Sequence, residues 1–289
     1  MLAKDKKVID VYKKYQRFHH DMNRFFQGFG AGGAVATLAG LIGLGGAEFR
    51  LPILKGLFQL DTLKAVILNK ATSLIVVFFA LMFRSYEIPF EEIWEYKSII
   101  FNLLLGSLAG AWIAAGIAMK IKEQTLDRIV LVLLLFLAAV LMLEHWFLHE
   151  QDGALFDSLL IEVIVGIVSG FGIGVVASML GVAGGELLIP VIVLLYGVDV
   201  KLAGSLSLAI SLPTMLVGFA RYTKSQAIIV LREERSLFIA LGIGSIIGAA
   251  AGSALLGVVS SDVLVLLLAL VLMISAYKIF THQKREAVS

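Results

Sequence analysis

The decapeptide GLGGAEFRLP occupies residues 43–52, and a related decapeptide, GVAGGELLIP, occupies residues 181–190. Glycine permits backbone that is neither helix nor strand. Proline is tolerated in the first turn of a helix, where its missing N–H would be unpaired anyway. Each decapeptide therefore predicts a break in the chain followed by a helix N-terminus. We assign the two breaks to the following hinge residues: Gly43 with Pro52, and Gly181 with Pro190.

The similarity between the two regions extends beyond these decapeptides. With an offset of 138 residues, 11 of the 34 positions in 41–74 are identical without a gap. Biased apolar composition would not also align Glu, Pro and Asp. The chain is therefore an internal duplication, with repeats at residues 28–148 and 158–280 and a linker at 149–157. Two-fold repeats of this size are typical of secondary transporters.

The composition predicts that both repeats lie in a membrane. Hydrophobic residues make up 59% of the chain and charged residues 16%, and the mean hydropathy is +0.94. A soluble chain has about 45–50% apolar and about 25% charged residues. Most apolar runs approach the roughly 20 residues that a crossing needs, but 49–60 and 186–198 are short. The chain has no cysteine, which excludes disulfides, iron–sulfur clusters and thiolate zinc sites.

The distribution of Lys and Arg predicts the topology. If each short Gly/Pro segment turns the chain back, a repeat holds a broken helical hairpin plus three transmembrane helices. Eight loop cations then lie on one side and three on the other, whereas four crossings per repeat would give six and five. The positive-inside rule favours the first arrangement. It predicts an all-α integral membrane protein of two inverted repeats with both termini cytoplasmic. A re-entrant hairpin gives the same count.

Residues 1–27 carry seven Lys/Arg and three Asp, and their apolar residues recur at helical spacing. They predict an amphipathic basic helix on the anionic cytoplasmic leaflet. An arm that binds nucleic acid is the competing interpretation; we expect no nucleic-acid partner. The tail, residues 281–289, is also expected in the cytoplasm.

The two breaks predict a binding site for an anion. Broken backbone is tolerated at membrane depth only where it is buried in protein or lines a wet cavity. The exposed N–H groups and positive dipole of a helix N-terminus attract anions. The alternative is glycine that serves helix packing, as expected for Gly166, Gly170, Gly174, Gly244, Gly248 and Gly252. The predicted anion-binding residues are Gly45, Gly46, Asn69, Lys70, Ser73, Gly184, Gly185, Ser207 and Ser211.

Three charged residues in the apolar runs need an explanation. An ionised group near the bilayer centre costs at least about 2.5 kcal/mol on insertion scales. Glu48 and Glu186 are candidates for carrying a coupling proton, or each caps its own helix N-terminus. Lys70 would supply positive charge to the anion; alternatively it snorkels to the interface or pairs with Glu48. Arg50, close to Glu48, could complete a structural ion pair.

The Gly-x-Gly-Gly pattern with its proline, followed by Asn69-Lys70, resembles the first half of the sulfite exporter family TauE/SafE, also called the 4-toluene sulfonate uptake permeases. The second half of that family has a similar turn and then a Thr-Ser-Leu-like stretch, here Leu206-Ser207-Leu208. Ala47 and Ala183 stand where glycine is common. The resemblance covers about residues 28–280. It implies transport of sulfite, sulfonates or related organic sulfur anions, coupled to an ion gradient, in a prokaryotic inner membrane.

We therefore expect a secondary transporter that is not an enzyme and needs no cofactor. A sulfur oxyanion would bind near the midplane, one repeat would rock against the other, and H⁺ is the candidate coupling ion. Three alternatives remain open: an anion channel, a carrier of a carboxylate or a cation, and an intramembrane metalloenzyme. The last would use His145 and His149, whose i, i+4 spacing can hold a metal. The chain has no phosphate-binding Gly-x-x-x-x-Gly-Lys-Ser/Thr motif, which argues against ATP-driven transport.

Overall fold

The computed structural model describes residues 2–117, 159–180, 184–220 and 224–286, together with three isolated positions in 132–139. These residues form eleven α-helices and no strand. The helices are α1 (Leu2–Ile42), α2 (Ala47–Gly56), α3 (Thr62–Arg84), α4 (Phe90–Glu95), α5 (Lys97–Ile117), α6 (Leu159–Leu180), α7 (Gly185–Tyr196), α8 (Val200–Ala220), α9 (Lys224–Glu233), α10 (Arg235–Ala254) and α11 (Ser261–Glu286). Six of them are long and apolar enough to cross a membrane. The predicted all-α membrane fold is confirmed.

The first break produces a helical hairpin. The chain turns at Gly43, where φ is +99°, and α2 then runs back beside α1. Gly46 packs against Val35 of α1 at the start of α2. At the other end, the Arg24 guanidinium lies 6.0 Å from the ring centroid of Phe58, just after α2. The C-terminal end of α2 therefore lies beside Arg24 of α1, away from the end of α1 at which the chain turns.

The second break has the same form. Gly184 packs against Ile173 and Ala177 of α6, which are the repeat equivalents of Val35 and Ala39 beside Gly46. Gly166, near the start of α6, lies against the hydroxyl of Tyr196, the last residue of α7. The half-helix α7 therefore folds back along α6 as α2 does along α1. Gly181 lies outside the described residues.

Glycines join the two repeats to each other. The sequence predicts close helix packing at six glycines. Five of them have backbone atoms of a helix from the other repeat as neighbours: Gly170, Gly174, Gly244, Gly248 and Gly252. Gly166 lies instead against the side chains of Asn102 and Tyr196. Residue numbers rise together along both helices, so α1 is parallel to α10 and α5 is parallel to α6. In the first of these helix pairs Gly244 contacts Phe29 and Gly248 contacts Gly33. In the second, Gly106 contacts Ile167 and Gly110 contacts Phe171. The two sets of contacts are equivalent, because their residues correspond at the repeat offset of 138.

The repeat-equivalent helices α3 and α8 run in opposite directions. Arg84, at the end of α3, donates hydrogen bonds to Lys201 and Ser205 at the start of α8. At the other end of α3, Lys64 pairs with Glu233 of α9, which follows α8. Two inverted repeats would place these helices in this way. The inversion relative to a membrane stays a prediction.

The ends of the predicted segments fall differently from the helix bounds. Helix α1 is continuous from Leu2 to Ile42, so the boundary predicted at residues 27–28 lies within one helix. Most of the apolar run at 129–148, the linker at 149–157, and His145 and His149 lie outside the described residues. So do the side chains of residues 2–21, on which the predicted amphipathic face depends.

Candidate functional site

The two breaks meet in the interior of the bundle. The Ser207 hydroxyl on α8 donates a hydrogen bond of 2.9 Å to the carbonyl oxygen of Gly43. A Cβ on Gly43 would lie 2.4 Å from Cα of Gly204, and one on Gly185 would lie 3.3 Å from Cα of Leu44. Gly45 is also buried. The irregular backbone is thus enclosed by protein, as membrane depth requires.

Both half-helices begin with the same backbone geometry. Gly46 (φ 67°, ψ 11°) precedes α2 and Gly184 (φ 76°, ψ 1°) precedes α7, and both residues are left-handed. Neither position carries a side chain that caps the first-turn N–H groups. The glycine before each helix therefore supplies no side-chain cap, and the positive end of each helix dipole lies in the interior.

The sequence predicted that both prolines lie in the first turn of their helices, and this prediction is wrong. Helix α2 begins at Ala47 and α7 at Gly185, so Pro52 and Pro190 are both the sixth helical residue. Each glycine turn starts its helix one turn before the proline. Because proline has no N–H, neither ring can donate to the carbonyl four residues earlier, which belongs to Glu48 and to Glu186.

A buried polar cluster surrounds the start of α2. Arg50 Nη1 donates to Ser73 Oγ at 2.8 Å and to Asn69 Oδ1 at 3.5 Å. Asn69 Nδ2 donates to the carbonyl oxygen of Ala47 at 3.0 Å, in the first turn of α2. Glu48 stabilises the charge of Arg50 electrostatically. The structure therefore brings Asn69 and Ser73 together as predicted, with Arg50 between them.

Sequence reasoning gave Arg50 only a structural role beside Glu48. Its side chain is fully buried. The signal that could have identified it is a cation four residues after the helix-starting Gly46, between the apolar residues Phe49 and Leu51.

The second half supplies hydroxyls and a carboxylate but no such cation. Ser211, the equivalent of Ser73, is buried, and its hydroxyl has no hydrogen-bond partner. Ser275 of α11 donates to Glu186 Oε2 at 3.0 Å. Leu188 occupies the position equivalent to Arg50. The second break therefore offers a similar backbone with a different charge.

Lys70 faces another part of the interior. It is 7% exposed and lines a narrow cavity of about 20 Å³, which is room for about one water. The cavity lies between α3, α5, α6 and α8, so the structure does not place Lys70 in the hydrogen-bonded cluster of Arg50. Its other lining residues are Ala111, Ala177, Ser178, Thr214, Met215 and Gly218.

A larger groove opens at the end of the bundle where α2 finishes. It has a volume of about 590 Å³ and is lined by residues of α1, the α2–α3 connection and the α9–α10 corner. Two ion pairs border it: Arg24–Glu234 at 3.0 Å and Lys64–Glu233 at 2.9 Å. The groove gives the start of α3 a polar approach from one end.

Comparison with known families identifies the chain. The sequence profile of the family described as "Sulfite exporter TauE/SafE" matches residues 1–142 and 165–288, which is nearly the whole chain. No curated protein and no solved structure gives a significant match. The chain belongs to the sulfite exporter TauE/SafE family, whose members are transporters and not enzymes.

Proposed function

We propose that this TauE/SafE family member is a secondary active transporter of small sulfur oxyanions, either sulfite or a short organosulfonate. The observation that carries the proposal is the pair of helix N-termini that follow the left-handed glycines Gly46 and Gly184 and start in the bundle interior beside the contacting breaks. Donors and dipoles of this kind favour anions. The site would be completed by Asn69, Ser73, Ser207 and Ser211.

The proposed topology has two inverted repeats with cytoplasmic termini in a cell membrane. The antiparallel arrangement of α3 and α8 supports the inversion. The groove beside Arg24 and Lys64 lies at the end that the positive-inside rule assigns to the cytoplasm, and it would be the cytoplasmic approach to the site.

We assign the moving bodies differently from a simple rocking of one repeat against the other. Cross-repeat glycine contacts bring backbones together in the α1–α10 and α5–α6 pairs, which could not separate without losing this packing. Each body would then contain one of these pairs, and the site would lie where α3 crosses α8. Access would alternate through sliding at that crossing.

Glu48 and Glu186 remain the proposed coupling residues. Both lie in the first turn of a half-helix, four residues before its proline. A proton on a carboxylate, or a cation on the carbonyl, could use this position. A pH step and a sodium step in the same transport assay would separate the two coupling ions.

Counterflow in proteoliposomes tests the proposed function. Vesicles holding the purified protein would be preloaded with sulfite, methanesulfonate, sulfate or chloride, and uptake of labelled sulfite would be followed. We expect sulfite and methanesulfonate to drive counterflow, and Lys70→Ala to weaken it at least several-fold. Lys55→Ala, a change of an exposed lysine on α2, is the matched control and should leave the rate unchanged.

Absence of counterflow with every sulfur oxyanion, for protein that remains folded and monodisperse, would overturn the proposed substrate class. Currents far above carrier rates without counterflow would indicate an anion channel instead.

A further inference from the structure

The guanidinium of Arg50 is buried, and only one of its three nitrogens donates hydrogen bonds. Its side chain is 0% exposed, and Nη1 is the nitrogen that bonds Ser73 and Asn69. Nε and Nη2 have no hydrogen-bond partner. An arginine carries five N–H donors, of which Nε holds one and Nη2 two. Three strong donors of a buried cation are therefore left over.

Arg84 shows what a structural arginine looks like in the same protein. It is also 0% exposed, but all three of its nitrogens donate hydrogen bonds. Their acceptors are Ser205 Oγ, the carbonyls of Gly40 and Leu41, and the carbonyl of Lys201. Buried charged groups are normally saturated in this way. Arg50 departs from this pattern.

The unused donors of Arg50 form one geometric unit. Nε–H and the neighbouring Nη2–H are parallel and lie on the same edge of the planar guanidinium, which matches two oxygens of a carboxylate, sulfonate or phosphate. This edge lies beside the start of α2, because Nη2 is 3.5 Å from the position that a Cβ on Gly46 would take. The first turn of α2 is next to it.

We propose that Arg50 is the principal anion-binding side chain of the transport site and binds two oxygens of one oxyanion through Nε and Nη2. This inference rests on the proposed function and names its ligand. Ser73 and Asn69 occupy Nη1 and so hold the free edge toward the α2 N-terminus. The site selects sulfite or a sulfonate over a halide, because chloride cannot engage both donors with separate atoms.

The test measures binding to the purified, full-length protein by isothermal titration calorimetry with sulfite and with methanesulfonate. The variants are Arg50→Lys, which keeps the charge but not the paired donors, and Arg50→Leu, which copies Leu188 of the second half. We expect at least a ten-fold weaker binding for Arg50→Lys and no measurable binding for Arg50→Leu. Arg232→Leu, a change of an exposed arginine on α9, should bind as the wild type does.

Thermal unfolding separates this role from a structural one. Replacing both partners of a buried ion pair by apolar side chains is often neutral or stabilising, whereas removing one partner is costly. The double variant Glu48→Leu/Arg50→Leu should therefore keep or raise the Tm while binding is lost. A lowered Tm for this double variant together with wild-type affinity for Arg50→Lys would overturn the inference and make Arg50 structural.

The outcomes for the two proposals are distinguishable. Sulfite counterflow that survives in Arg50→Lys at the wild-type rate sinks the Arg50 inference and leaves the proposed function. If the wild type binds acetate or malonate through Arg50 but binds neither sulfur anion, the result supports oxyanion binding by Arg50 Nε and Nη2 and contradicts the proposal that the substrate is a sulfur anion.

Discussion

The half-helices α2 and α7 have nearly the same backbone and very different charges. Each starts at a left-handed glycine, carries Glu in its first turn and has proline as its sixth residue. Each also packs at equivalent positions against the helix before it. The buried cations do not follow this symmetry, because Arg50 and Lys70 of the first repeat correspond to Leu188 and Leu208 of the second.

This comparison separates what the duplication supplies from what divergence added. The repeated backbone places two helix dipoles and two breaks at the centre, and that arrangement alone is nearly symmetric. The full positive charges come from the first half only. Under the proposed function, an anion at the centre would be held mainly by the first repeat, so the two access states need not bind it equally.

The largest effect is expected from substitutions that disrupt the glycine contacts between the two repeats. A Cβ on Gly110 would lie 2.2 Å from the carbonyl oxygen of Phe171, and one on Gly248 would lie 2.2 Å from that of Gly33. Overpacking usually costs about 1–3 kcal/mol, and here backbone, not a flexible side-chain end, is in the way. We expect Gly110→Leu and Gly248→Leu each to abolish recovery of monodisperse protein on size-exclusion chromatography.

The controls for this prediction are Gly172→Leu on α6 and Gly30→Leu on α1, where nothing lies within 4 Å of the added Cβ. Both should be recovered at the wild-type level. If Gly110→Leu is lost and Gly248→Leu is tolerated, the two cross-repeat interfaces are not equivalent and the symmetric frame is wrong.

The sequence was sufficient to predict the two hairpins and the close helix packing, because the duplication and the glycine spacing are visible directly as sequence patterns. The 138-residue offset, the glycines at four-residue intervals and the Gly/Pro breaks predicted the hairpins and the close packing. The pairing of α1 with α10 could not be predicted in this way, since an offset does not say which helix a glycine face meets.

The binding cluster was harder to predict for geometric reasons. Asn69 and Lys70 are neighbours in sequence, but successive helical residues point about 100° apart. Asn69 therefore reaches the α2 N-terminus while Lys70 lines a different cavity. Arg50 meets Ser73 across 23 positions, a contact that only the fold creates.

A third buried cation without an equivalent in the second repeat is Arg84, and its replacement should have the next largest effect on stability. Its repeat equivalent is Tyr222, and its bonds tie the end of α1 to the start of α8 across the two repeats. Arg84→Leu leaves the carbonyls of Gly40, Leu41 and Lys201 without this donor, and each unsatisfied buried group costs about 1–3 kcal/mol. We expect a loss of about 3 kcal/mol or more in unfolding free energy.

Chemical denaturation in detergent would measure the effect of Arg84→Leu, with Arg232→Leu as the surface control. A change below about 1 kcal/mol, as for an exposed ion pair, would show that the cross-repeat tie does not stabilise the fold. Because Arg84 is saturated and Arg50 is not, Arg84→Leu should destabilise the protein, whereas the double variant Glu48→Leu/Arg50→Leu should not.

The smallest expected effect sharpens the comparison of the two half-helices. Gly46→Ala and Gly184→Ala each force a left-handed backbone on a residue with a Cβ, which costs about 1–2 kcal/mol. The new methyl group would meet Val35 Cγ1 at 2.7 Å beside Gly46, but its nearest neighbour beside Gly184 is Ala177 Cβ at 3.1 Å. Gly46→Ala should therefore lower the Tm more than Gly184→Ala, and both more than Gly56→Ala, where nothing lies within 4 Å. If Gly184→Ala matches the Gly56→Ala control, α7 does not need its left-handed start, and the equivalence of the two N-termini fails at the position where the proposed anion site depends on it.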